Sequence, residues 1–97
     1  MRRVLWSDVT TAARAVLAAE PASREVFSAA LVAQASHADK YTRRLRYDHP
    51  RWGNGTLLAA ARKHSLAAER SFDDPEYAMC CRMIMAALHR HRCEKNL

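Results

Sequence analysis

The chain has 97 residues, enough for one domain that buries about two-thirds of the surface its unfolded form exposes. Nineteen residues are Ala, whereas Leu, Ile, Val and Phe together supply seventeen, so a core must come from closely approaching helices carrying few large side chains. Sixteen Lys and Arg against ten Asp and Glu give +6, which attracts anionic partners without naming one; no apolar run approaches the ~18 residues of a membrane span.

The basic Met-Arg-Arg start is followed by only three apolar residues before polar ones return, so it reads as no export signal. Ser7 or Asp8 is expected to cap a first helix, in which Val9, Ala12, Ala13, Val16 and Leu17 follow the spacing of a core-facing stripe. That helix should end near Ala19, at Glu20-Pro21. Because Pro is welcome in the first helical turn, a second helix can start at once and run antiparallel to the first.

The second helix, about residues 22–46, is the longest expected element. Phe27, Leu31, Gln34, Ala38, Tyr41 and Leu45 step by 4, 3, 4, 3, 4, a heptad seam too short for a free coiled coil and suited to a bundle. Its second half is basic. Then Tyr47 to Thr56 cannot continue the helix: Pro50 pushes His49 out of the helical region, and the chain's two glycines, Gly53 and Gly55, flank Asn54. Thr56 or Asn54 is placed to cap a third helix running from Leu57 to about Ala68, with Arg62, Lys63 and Arg70 outside and His64 on its surface.

Ser71-Phe72-Asp73-Asp74-Pro75-Glu76 reads as a restart, with Asp74 as cap, Pro75 first in the helix and Glu76 at the positive end of its dipole. Tyr77, Cys80, Cys81, Ile84, Met85 and Leu88 form the expected buried face of this fourth helix, and His89, Arg90, His91, Arg92 and Lys95 put positive charge at its end. Cys80 and Cys81 are adjacent on that helix, and with Cys93 the count is odd. Three reduced thiols in a cytoplasmic protein is the consistent account. The expectation is therefore an all-α fold, a small four-helix and mostly antiparallel bundle formed by residues 1–97 as a single domain.

Catalytic chemistry finds no support in the motifs. There is no Gly-x-Ser-x-Gly elbow and no His-Glu-x-x-His, and Gly53-Asn54-Gly55-Thr56 lacks the spacing and Lys of a phosphate loop. The pairs His49 with Asp48 and His37 with Asp39 have no nucleophile beside them. His89 and Cys93 could face one metal ion at i, i+4, but Cys80 and Cys81 lie two to three turns back on the same helix, so no four-ligand site closes. No enzyme activity, cofactor or metal is expected.

The functional signal is a basic band. Lys40, Arg43, Arg44 and Tyr47 share one helical face, with Arg51 just beyond, and such a face can meet phosphates while an aromatic ring stacks on a base. A solvated helix face has the same composition. His49, Pro50, Trp52, Gly53, Asn54 and Gly55 are read as the structural part of the loop, with Trp52 folded over the bundle as a plug and Arg51 left outside.

His49-Pro50-Arg51-Trp52-Gly53-Asn54-Gly55-Thr56-Leu57, followed by Phe72-Asp73-Asp74-Pro75-Glu76-Tyr77, resembles a family of short uncharacterised bacterial proteins over most of the chain. The resemblance implies a self-standing domain and brings no activity with it. The expected function is a non-enzymatic protein-interaction or regulatory module that also pairs with itself, through the seam of the second helix or the Met79-Met83 edge of the fourth, since a small Ala-rich core is marginal alone. The alternative is nucleic-acid binding through the basic band. No contact with a membrane is expected.

Overall fold

The first helix, α1 (Trp6–Ala18), carries Val9, Ala12, Ala13, Val16 and Leu17 into the core, the stripe its spacing predicts. It starts earlier than a Ser7 or Asp8 cap would allow. Asp8 lies inside the first turn, where its Oδ2 accepts the Leu5 N–H at 2.7 Å and its Oδ1 accepts the Leu58 N–H at 2.9 Å. One buried carboxylate thus satisfies a starting donor of two different helices.

A 3-10 turn at Pro21–Ser23 leads into α2 (Arg24–Leu45). Arg24, the first residue of α2, closes the end of α1: its Nε donates to the carbonyls of Val16 and Ala19, and its Nη2 to that of Leu17. Carbonyls in a last helical turn lack their usual i+4 donor, and here only that of Val16 has a local substitute, the Ala19 N–H at 3.0 Å. Of the predicted seam, Leu31 and Ala38 are fully buried, Phe27, Gln34 and Tyr41 are half-buried, and Leu45 is exposed. Val32, Ala35, Ser36 and Asp39 are buried as well, so α2 is covered over a wider arc than a single stripe.

The third helix, α3 (Leu57–Ala61), is five residues long rather than the dozen expected. Its cap is as predicted, with Thr56 Oγ1 accepting the Ala59 N–H at 3.1 Å. The chain then leaves the helix because better partners are available outside it. His64 Nε2 and Gln34 Oε1 of α2 lie 2.9 Å apart, and the His64 ring meets Phe27 edge-on. Ala67 exchanges bonds with Arg14, its N–H donating to the Arg14 carbonyl and its carbonyl accepting the Arg14 Nε–H. His64 is therefore a bridge to α2 and not a surface residue.

The last helix, α4 (Pro75–Lys95), begins as the sequence predicts, with Asp74 Oδ1 accepting the Tyr77 N–H at 2.9 Å. Tyr77, Cys80, Cys81, Ile84 and Ala87 face the core, spaced by three and four. Met85 falls off that row and is 46% exposed, so it does not belong to the buried face. The computed structural model describes residues 1–95, with the side chain of Lys95 outside the description. Among the described residues there are four α-helices and no strand, and no helix is long and apolar enough to cross a membrane.

Helix α4 packs on both α1 and α2, while α3 seals the gap between α1 and α2. The short turn makes α1 and α2 the antiparallel pair. Helices α2 and α4 start side by side, joined by Arg24 Nη1 and Glu76 Oε2 at 2.9 Å, and Arg70 Nη1 adds a bond to the other oxygen of Glu76 at 2.8 Å. The Met1 amino group reaches Asp39 late in α2, and the segment after it lines a cleft with Leu88 late in α4, so both helices run the same way.

Hydrogen bonds from Arg70 and then Arg24 hold the Glu76 carboxyl below the ordinary glutamate range, and the Tyr77 N–H, with Arg70 behind it, does the same for Asp74. Both groups bind a proton less readily folded than unfolded, so their contribution is complete above the ordinary carboxylate values of about 4 and is lost as the pH falls from there through the lowered ones. Melting temperature should stay level from neutral pH to about 5 and drop below about 4. In Glu76→Gln the drop should be shallower, and identical acid profiles for the two proteins would remove Glu76 from this account.

Candidate functional site

Helix α2 ends with Arg46 in the left-handed region, at φ 65° and ψ 23°, its N–H bonded to the Thr42 carbonyl at 2.8 Å. Gly or Asn usually fills such a position, and an Arg there costs roughly 1–2 kcal/mol of backbone strain. The turn throws residues 47–56 sideways, back along the flank of α2. His49 and Gly53 pair through two backbone bonds of 2.8 and 3.0 Å, and the turn between them is closed by His49 Nδ1, which accepts the N–H groups of Arg51 at 3.0 Å and Trp52 at 3.3 Å. Asn54 Oδ1 accepts both the N–H and the hydroxyl of Thr56, which orients the cap of α3.

Gly55 fixes where this loop sits. Its φ is +98°, and a Cβ built on it would lie 2.7 Å from Asp39 Cα, so the loop backbone touches the α2 backbone with no space for a side chain. Because Nδ1 of His49 is an acceptor for two donors, the ring is held neutral. Partial desolvation, then His37 and Arg51 nearby, push its pKa below the ordinary histidine value. Its support of the turn is present above that ordinary value and is lost as the pH falls through the lowered one.

Five rings line the contact. Trp52 stacks on His49 at 4.8 Å and 12°, and meets His37 of α2 edge-on at 5.3 Å; His49 in turn meets Tyr41 at 4.7 Å, and Tyr41 meets Tyr47 at 6.1 Å. Trp52 is half-buried on the outer side of α2, so it is a rung of this ladder and not a plug over the bundle. The sequence places a large ring by a loop but does not say which face of α2 the loop will cover. Arg51 lies outside as expected, its guanidinium 5.6 Å from the Trp52 ring centre. Tyr47 is the outermost ring, 61% exposed.

The predicted basic residues are all exposed and lie beside this ladder. Lys40, Arg44 and Arg46 make no side-chain hydrogen bond or ion pair among the described residues, whereas Arg43 Nε lies 3.2 Å from Asp39. Asp39 is buried and also takes the Met1 amino group at 3.1 Å and Arg2 Nε at 3.8 Å. One carboxylate therefore collects three cations and joins the band on α2 to the N-terminal segment. From there an open cleft of about 560 Å³ continues between that segment and the end of α4, lined by Arg2, Arg3, Val4, Leu88, His89 and Arg92.

Arg2 and Arg3 are the part of the site that the sequence reading misses. Their signal is the Met-Arg-Arg start, whose basic residues read in the sequence only as those of an export segment without its apolar run. The charge is distributed unevenly: where α2 and α4 begin, Arg24 and Arg70 are matched by Asp74 and Glu76, while at the other end positive groups outnumber their one buried partner. The thiols take no part. Burial pushes the pKa values of Cys80 and Cys81 up, so both are protonated core residues. Cys93 Sγ is 3.6 Å from His89 Nε2, and among the described residues no three His, Cys, Asp or Glu groups are placed to hold a metal ion.

The profile of a domain family of unknown function, DUF7742, matches residues 2–88, from the N-terminal segment through most of α4, and the chain belongs to that family. No curated protein and no solved structure matches the chain.

Two substitutions in this loop should move stability in opposite directions. Gly55→Ala adds roughly 1–3 kcal/mol of backbone strain and a similar overpacking cost against Asp39, a large part of the stability of a small domain. Arg46→Gly relieves the left-handed strain, offset in part by a freer unfolded chain, for a net gain of about 0.5–1 kcal/mol and several degrees in melting temperature. Thermal melts read both. A Gly55→Ala protein that melts like the parent would mean that the loop does not rest on α2 as described.

Proposed function

We propose that this protein is a non-catalytic module that binds nucleic acid through the basic surface formed by the second half of α2, its following loop and the N-terminal segment. The observation that carries this reading is the set of exposed and unpaired cations, Lys40, Arg44, Arg46 and Arg51, interleaved with aromatic rings. A solvated surface helix commonly pairs its charges at i, i+4, and here only Arg43 has a carboxylate partner. Phosphates are the ligand that such an array meets at many points, each contact releasing counterions.

Association with a protein, the other reading of the sequence, is supported by a different surface. The α2 seam is unsuited to it because Leu31 and Ala38 are spent in the core. Trp6 and Phe72, however, are 64% and 52% exposed with ring centres 5.4 Å apart, and Met79 is exposed on α4. Self-pairing of the protein, in a cytoplasmic setting, would use that side and leave the basic surface free.

Salt separates the two. With about five phosphate contacts, the logarithm of affinity for a single strand should fall with a slope of about −3.5, roughly a hundredfold between 50 and 200 mM salt. Fluorescence anisotropy with a labelled mixed-sequence oligonucleotide measures this. Arg44→Glu/Arg51→Glu should stay folded, losing about 1 kcal/mol because Arg44 stands at the negative end of the α2 dipole, and should lose binding, since neither side chain has a carboxylate partner to release. A parent protein that binds no oligonucleotide at 50 mM salt rejects the proposal and leaves association through the Trp6 side as the function to test.

A further inference from the structure

Building on that reading, we infer that the nucleic acid recognised is single-stranded and that Tyr47 is the platform on which one of its bases stacks. Three observations converge on Tyr47. Its ring is 61% exposed although it belongs to a chain of contacting aromatic groups, so it is held without being covered. Tyr41 meets it edge-on at 6.1 Å and 78°, and Tyr41 is itself half-buried against His49, which fixes the ring's orientation from one side and leaves a face open. Cations without carboxylate partners flank it in the chain: Arg44 and Arg46 precede it, and Arg51 follows in the loop.

Trp52 is a poorer candidate for the same task. One of its faces is occupied by the His49 ring at 4.8 Å, its edge meets His37, and the Arg51 guanidinium lies over it. Its place is in the support of the platform.

The positions of the cations argue against a duplex. A recognition helix enters a major groove with its starting residues against the bases. Here the basic residues surround the end of α2, where the helix dipole is negative, and continue onto an irregular loop and an extended N-terminal segment. Such a surface presents the end of a helix and a loop, with no cation-bearing helix start to enter a groove. It does offer a curved track of positive charge for one backbone, with an exposed ring beside it, and only unpaired bases have a face free to stack on that ring.

Left-handed Arg46 is part of the device. The turn at φ 65° lifts Tyr47 off the helix that carries Tyr41, and it does so with an Arg where Gly would be less strained. The position keeps a cationic residue directly before Tyr47 in the chain at the expense of backbone comfort.

The test uses the full chain, with Tyr47→Ala and Tyr47→Phe variants and four labelled probes of one sequence: single-stranded DNA, single-stranded RNA, the DNA duplex, and a single strand whose central residues are abasic. The parent should bind the intact single strands more tightly than the duplex at equal salt. Tyr47→Ala should weaken single-strand binding by roughly 5- to 150-fold, the range for losing one base stack, and should leave duplex binding within about twofold and the salt slope unchanged. Tyr47→Phe keeps the ring and should bind like the parent. Abasic substitution and Tyr47→Ala should not add, since each removes the same contact. Preference for RNA over DNA, or the reverse, would identify which single strand is meant.

Equal losses for duplex and single strand on Tyr47→Ala would overturn the inference, as would duplex preference by the parent or failure of Tyr47→Phe. In those outcomes the basic surface still binds nucleic acid. If the parent retains none of the probes, the underlying function fails with it, and circular dichroism of the variants separates either result from misfolding.

Discussion

The contact between Gly55 and Asp39 is the constraint on which the outer half of the molecule depends. Two stretches of backbone meet with less than the thickness of a methyl group between them, and only a glycine at positive φ permits both the turn and the approach. Once that contact is made, the loop before it has one course along α2. His49 and Trp52 arrive beside His37 and Tyr41, and Thr56 is left in position to cap α3. Asp8 then ties the start of α3 to the start of α1, so the loop becomes a spoke between the long helix and the rest of the core. Asp39 serves twice, as the surface on which the glycine rests and as the anion that anchors the N-terminal segment.

The two ends of the molecule manage charge in different ways. Where α2 and α4 begin, carboxylates and guanidinium groups are matched within hydrogen-bonding distance, and Glu76 is bonded by two arginines at once. Where those helices end, positive charge accumulates. Part of that accumulation has a purely structural reason, since cations near a helix C-terminus are favoured by the dipole and α2 and α4 bring two such ends to the same side. The dipole accounts for Arg43 and Arg44 in the last turn of α2, and for Arg92 in that of α4. It does not reach Arg51 in the loop, nor Arg2 and Arg3.

The fold was legible wherever a single side chain decides the local structure. Asp74 with Pro75, Thr56 before Leu57, and Pro21 between two apolar stripes each mark a boundary through a cap or a missing donor, and the structure has those boundaries within a few residues. What was not legible depends on partners distant in sequence. Residues 62–68 have the composition of a helix and lose it to Arg14 and Gln34, whose positions no local pattern announces. Met85 is exposed and Ala87 buried, because the row of α4 that meets the core runs Tyr77, Cys80, Cys81, Ile84, Ala87. In the candidate site, Lys40, Arg43, Arg44, Tyr47 and Arg51 were visible as one helical face and its extension, whereas the ring ladder and the share taken by Arg2 and Arg3 required the loop to be folded first.

Positive charge gathers where α2 and α4 end, with Arg2 and Arg3 beside it, while the charges where those helices begin are matched. A charge distribution this lopsided gives the molecule an electric dipole moment, and a polyanion approaching from a distance turns it before touching it. The encounter is therefore end-on, with the cation-rich end leading.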